Sequence, residues 1–204
     1  MIIRHIFLLG ALAGVSACGG GLSTGGSGPG VTRSGVVTAA ADGSIPTASD
    51  AEQLSVRSVN LGGYGATYAV QSRGNDVSAR AALVNPQIFN VVTTSGRATF
   101  DTNYSLSEIR NTATSREITD AEGSLPITID FATGRVQGQG DGLRVAGQMM
   151  AGSAGFTGTT TWRGIEGDLR GRADEGNLVG AFAGNAPTSV YAGAIEGFVP
   201  STIP

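Results

Sequence analysis

The sequence of 204 residues contains no lysine: its basic residues are 13 arginines, a coding bias rather than a chemical device. It holds one cysteine, Cys18, and one histidine, His5, both near the start. A single cysteine excludes a disulfide within the chain. Beyond residue 18 there is neither thiol nor imidazole, which excludes nucleophile–histidine triads and the usual zinc and haem ligand sets. No metal site and no cofactor are expected. Charged residues make up only 14%, against roughly a quarter in ordinary domains. The net charge of −3 removes the electrostatic case for nucleic acid. Aromatics are sparse at 6%, with a single tryptophan. The low charge does not mark disorder, because disordered chains are charge-rich and poor in β-branched residues. Here Val, Ile and Thr abound, hydrophobic residues reach 40%, and glycine is present 33 times. This is the composition of a Gly- and Thr-rich all-β protein long enough for one domain with a true core.

The first apolar run, Ile6 to Val15, follows Arg4 and is about half the roughly 20 residues a spanning helix needs. A positive start, a short apolar run and small residues after it describe a secretory signal peptide, residues 1–17. The run ends in Val15-Ser16-Ala17-Cys18, which resembles the bacterial lipobox. That resemblance implies cleavage between Ala17 and Cys18 and lipid attachment to the Cys18 sulfur, a strong nucleophile near neutral pH. The alternative is an ordinary signal peptide with an incidental cysteine; position, flanks and uniqueness favour the lipobox. Several acyl chains on one residue would moor the protein to a membrane. The absence of aspartate after Cys18 points to the outer membrane, facing the periplasm or the cell surface. Residues 18–30, rich in Gly and Ser, read as a flexible tether.

Residues 31–96 are read as an N-terminal extension, either a small irregular subdomain or extra strands packed on the C-terminal half of the chain. "SDAE" at 49–52 has the spacing of a helix capping box, but "LSVRSVNL" alternates like a strand. "YGATYAV" at 64–70 suggests a strand, and "VSARAALV" at 77–84 suits either type.

From residue 97 a period of two is clear. Phe100, Thr102, Tyr104 and Leu106 share one face, as do Leu125, Ile127 and Ile129, Leu143 and Val145, Phe156 and Trp162, and Ile165 and Leu169. Turn signals at Thr133-Gly134, Asp141-Gly142, Arg163-Gly164, Glu175-Gly176 and Asn185-Ala186-Pro187 separate the runs. About eight strands joined by short loops imply antiparallel neighbours. The fold class expected is all-β: an eight-stranded antiparallel up-and-down barrel, residues 97–199, with a small irregular N-terminal extension. Gly147, Gly167, Gly171, Gly180 and Gly184 fall on the apolar face, where they make room for large side chains across a narrow lumen. A lipid-facing barrel would instead show aromatic girdles and strands of about 9–11 residues. A water-soluble barrel is therefore favoured.

Four segments, "ITIDFATGRVQGQ", "GSAGFTGTTT", "IEGDLRGRADEGNLVGAFAG" and "YAGAIEGF", resemble in order and spacing the β-barrel domain of the transferrin-binding protein B-like lipoproteins. The resemblance covers about half the chain, residues 97–199. It departs at Leu169, where the family usually has an aromatic, and in having room for one barrel with at most a reduced handle-like subdomain, so transferrin binding is not carried over. It implies a non-enzymatic lipoprotein, anchored in the membrane through Cys18, that binds a protein or other solute through barrel loops.

The remaining polar residues weigh little as catalysts. Glu166 with Asp168, and Asp174 with Glu175, read as strand-exterior and turn residues rather than a glycosidase pair. "GQGDG" at 138–142 precedes no helix and so forms no phosphate cradle. Arg163, Arg170 and Arg172 are candidates for an anion-binding patch, the alternative being solvated charge paired with nearby acids. Two functions stay open: a binder of macromolecules, with residues 107–123 and 172–177 as contact loops, and a carrier of a small apolar ligand in a lumen that Phe100, Tyr104, Phe131, Phe156, Trp162 and Phe182 would otherwise fill.

Overall fold

The structure is a computed structural model of the chain and describes residues 30–200, apart from 33, 48–49, 62–63, 86–95 and 175. The signal peptide, the lipid site at Cys18 and nearly all of the tether lie outside the described residues.

Among the described residues thirteen strands form two sheets. Strands β6 (Arg97–Asn111), β7 (Arg116–Asp130), β8 (Arg135–Gly140), β9 (Leu143–Met149), β10 (Gly155–Trp162), β11 (Ile165–Ala173), β12 (Asn177–Ala186) and β13 (Ser189–Phe198) run up and down in chain order. The barrel closes where β13 pairs with β6, through Ile195 opposite Tyr104 and Gly193 opposite Leu106. Two of the expected hairpins are two-residue turns with both central residues at positive φ, Asp141-Gly142 (46° and 85°) and Arg163-Gly164 (48° and 82°). This conformation matches the twist of the flanking strands and favours glycine in the second place.

The apolar face points inward. Phe100, Leu106, Leu125, Ile127, Ile129, Leu143, Val145, Phe156, Leu169, Phe182, Tyr191 and Ile195 are buried in one cluster with Tyr104 and Trp162. The lumen is thus filled by its own side chains rather than held open for a ligand. Several aromatic rings lie against the glycine directly opposite on the adjacent strand: Phe156 on Gly171, Phe182 on Gly193, Tyr191 on Gly184 and Tyr104 on Gly123. A Cβ at Gly171 would stand 2.0 Å from the Phe156 ring, and one at Gly193 would stand 2.4 Å from that of Phe182. The glycines make room beside the ring on the neighbouring strand, not across the lumen.

The N-terminal extension takes the form of extra strands packed on the barrel. Strands β3 (Glu52–Leu61), β4 (Tyr64–Arg73) and β5 (Asp76–Val84) are antiparallel, and β1 (Gly30–Val31) and β2 (Gly35–Thr38) both pair parallel with β5. The capping-box spacing at 49–52 starts no helix; Glu52 is already in β3. Ala66, Tyr68, Val70, Ala79 and Ala81 pack on Val179, Ala181, Ala183, Val190, Ala192 and Ala194, the outer face of β12 and β13. The other face of the sheet is covered around Ile45, which packs with Ala69 and Ala82.

Residues 107–123 are not a loop. They are the far half of a β6–β7 hairpin whose register runs from Ser107 opposite Asp120 to Asn111 opposite Arg116, closed by a turn in which Thr112 and Ser115 bond to each other. Strand β7 pairs with β8 only through Ile127–Asp130, so the hairpin stands beyond the short β8–β9 side of the barrel.

Candidate functional site

The barrel has two distinct ends. One carries the β6–β7 tip and the turns at Asp141, Arg163 and Pro187. The β4–β5 turn lies there too, because the Asn111 side chain donates to the Asn75 carbonyl at 2.8 Å and Arg116 to that of Gly74 at 2.9 Å. Gly30, the first described residue, pairs with Asp76 beside that turn, so the chain from Cys18 enters the domain at this end. The opposite end carries the turns at residues 131–134, 150–154 and 174–176, and the end of β13.

At the entry end a carboxylate is buried at the rim. Glu108 is 2% exposed. It accepts from the Trp162 indole at 3.0 Å, from Arg163 at 3.2 Å and from the Arg110 Nε at 3.0 Å. The Arg163 guanidinium lies 5.0 Å from the centre of the Trp162 ring, within cation–π range. Two half-exposed cations and an indole thus compensate one buried anion, and the cluster plugs this end of the lumen. Just inside, the Tyr191 hydroxyl bonds to the Thr160 hydroxyl at 2.9 Å, and burial pushes its pKa up to about 12.

A polar groove of about 970 Å³ runs along the flank between β3 and the outer face of β6, β7 and β13, with Arg57, Asn103, Ser105, Glu122, Asp141 and Glu196 in its walls. Arg57 ties the two sheets together across it, to Asp120 at 2.6 Å and Glu122 at 3.2 Å. The Tyr68 hydroxyl, buried under this groove, reaches toward Ser105 without hydrogen-bond geometry, and burial raises its pKa.

The three arginines singled out in the sequence do not form one patch. Arg163 belongs to the rim cluster. Arg170 and Arg172 project from the outer face of β11 near the other end, roughly 20 Å along a strand direction that rises about 3.3 Å per residue. Those two share a notch with β2 and Leu83. Glu166 and Asp168 are exposed on the outside of β11, and Asp174 caps its own turn through the backbone N–H groups of Gly176 and Asn177. Sequence reasoning missed Glu108; a glutamate between serine and isoleucine in a polar stretch carries no signal of burial. Among the described residues no group of three His, Cys, Asp or Glu side chains is placed to hold a metal ion.

These features define a class: a filled, closed eight-stranded barrel with a second sheet clamped to its flank. No protein-family model matches the chain, and no curated protein matches it in sequence. Among solved structures the chain is similar to isotype 1 transferrin binding protein B from serogroup B Neisseria meningitidis, at a TM-score of 0.45 and 13% identity over 77% of this chain. It is also similar to HpuA from Kingella denitrificans, solved in complex with human haemoglobin, at a TM-score of 0.39 and 16% identity over 78% of this chain. The match spans 37% of the first structure's chain and 60% of the second's. The first of these is the protein whose family the barrel strands resemble in sequence. At this level the likeness is one of fold and assigns neither partner nor activity.

Proposed function

We propose that the protein is a non-enzymatic lipoprotein, anchored in the outer membrane through Cys18, that binds a protein partner with the barrel end remote from its anchor. The observation that carries this reading is the separation of the two ends. The chain from Cys18 joins the domain beside Asn75 and Asn111, whereas Phe198, at 54% the most exposed large apolar side chain among the described residues, stands with Met150 at the opposite end; Ile118, 43% exposed, lies on the entry-end hairpin. A tether on one end leaves the other free to meet a partner, and exposed large apolar side chains are the groups that gain most from being covered there. The filled lumen turns the barrel into a rigid support whose turns present the contact surface.

Two measurements test it. Labelled palmitate should attach to the wild-type chain and not to Cys18→Ser; equal labelling removes the anchor. A photo-crosslinking residue at Phe198 should capture a discrete partner in intact cells, while one at Thr114, in the exposed β6–β7 turn of the entry end, should not. Capture only from Thr114 reverses the orientation.

A further inference from the structure

The edge of the second sheet creates a site that the barrel alone would not have. Strand β2 is four residues long, and among the described residues it pairs only with β5, so the described sheet ends over the outer face of β11. The step encloses a notch of about 400 Å³, at the small end of the roughly 300–1,000 Å³ typical of single-ligand pockets. Its walls are largely apolar, with Val36 and Val37 from β2, Leu83 from β5 and Met150 from the β9–β10 turn. Its charged lining side chains are both cationic, Arg170 and Arg172. Thr157, directly opposite Arg170 on β10, adds a hydroxyl at the exposed margin. Burial holds the Arg172 guanidinium below its usual pKa, a sign that water is partly excluded around it.

We propose that this notch binds a small amphiphilic anion, an alkyl carboxylate with an acyl chain of about ten carbons. The chain lies between Val36, Leu83 and Met150, where burial of each methylene removes apolar surface from water. The carboxylate pairs with the exposed Arg170, whose planar guanidinium suits bidentate contact with a carboxylate, and Arg172, two residues on along the same strand face, adds positive charge beside it. Met150 adapts to the chain because its unbranched thioether fills irregular gaps. The site lies outside the barrel, so it relocates the idea of a small-ligand carrier from the filled lumen to the junction of the two sheets. It does not depend on the protein-binding reading above.

The test uses the full chain carrying Cys18→Ser, titrated with decanoate and with decanol below their aggregation limits, and followed by methyl NMR and calorimetry. Decanoate should bind one to one and shift the methyl signals of Val36, Leu83 and Met150. Decanol, of equal length without the charge, should bind about tenfold more weakly, as should decanoate to Arg170→Gln, given the strength of hydrogen bonds to charged groups. Thr157→Trp, at an exposed strand position, should block the mouth and abolish the shifts while leaving the fold intact. Absence of decanoate binding, equal affinity for decanol, or shifts confined to lumen methyls such as those of Leu106 and Ile127 would each overturn the proposal.

Discussion

Inside the barrel, Phe182 and Tyr191 each lie over a glycine of the neighbouring strand; on the outside of the same β12 and β13, the side chains meeting the second sheet are alanines and valines. Both surfaces are largely apolar, yet they solve different geometric problems. A narrow closed cylinder converges toward its axis, so a ring gains room where one cross-strand neighbour has no side chain, as Phe182 does at Gly193 although its other neighbour is Leu169. Two sheets meeting face to face interdigitate their side chains, and here the small residues of β12 and β13 leave room for larger ones such as Tyr68 of the second sheet. Strands β12 and β13 alternate the two rules residue by residue: Ala181, Phe182, Ala183 and Gly184 on one, Ala192, Gly193, Ala194 and Ile195 on the other.

The largest expected effect comes from breaking the inner rule. In Gly193→Ala the new Cβ meets Phe182 at 2.4 Å, the Ser105 carbonyl at 2.5 Å and Leu106 at 2.7 Å, with no flexible neighbour to yield. A loss of about 3 kcal/mol is expected in urea unfolding. Gly180→Ala sharpens the comparison, because its Cβ would have no neighbour nearer than 3.5 Å, ordinary contact, and stability should stay within about 0.5 kcal/mol. Equal losses in the two would show that the lumen does not discriminate by contact.

Breaking the outer rule should separate the two sheets. Ala192→Phe puts a ring where Ala192 is fully buried against the second sheet. We expect a loss of about 2 kcal/mol and selective proteolysis within residues 30–84 while the barrel stays protected. Uniform digestion of both parts would show that they unfold as one unit.

At the rim, Glu108→Ala leaves the Trp162 indole and two arginines without their acceptor. A loss of about 1.5 kcal/mol is expected, moderated because both arginines are half exposed. Tryptophan fluorescence should shift to the red as the plug opens. An unshifted spectrum would show that Trp162 is held by packing alone.

The effect that is smallest at neutral pH, where it vanishes, is a pH dependence at Tyr191. Its pKa in the folded state, raised to about 12, exceeds the unfolded value near 10, so between the two the native state binds the extra proton. The stability linked to this group is complete below pH 10 and is lost as pH rises from about 10 to 12. Tyr191→Phe should lack this step. A phenolate signal assigned to Tyr191, by difference against that variant, appearing near pH 10 in the folded protein would contradict the burial argument.

Legibility in the sequence followed exposure. Strands with one face in solvent, such as "ATFDTNY" and "LPITID", show strict alternation, so the residues that share a face are legible. Strand β4, buried along most of its length, is still legible as a strand in "YGATYAV", whereas the alanine-rich "VSARAALV" of β5 suits helix as much as strand. The β6–β7 tip fails for the opposite reason: its β7 side is largely exposed, so "REITDAEG" has no apolar period and reads as a loop. Arg170 and Arg172 were recognisable as cations two residues apart on one strand face; that β2 would stand beside them was not recognisable, because Val36 and Val37 lie more than 130 positions earlier.

From residues alone came the strand count, the inward direction of the apolar face and the expectation of a closed barrel, since a period of two and glycine turns are local properties that short segments carry by themselves. Only tertiary structure decided that rings sit on glycines one strand away, that Glu108 is buried, and that the second sheet covers β12 and β13 while leaving a notch over β11. Those facts depend on which distant segments are brought face to face, and closure of the cylinder together with the docking of a separate sheet sets that pairing, with no trace in nearest-neighbour order.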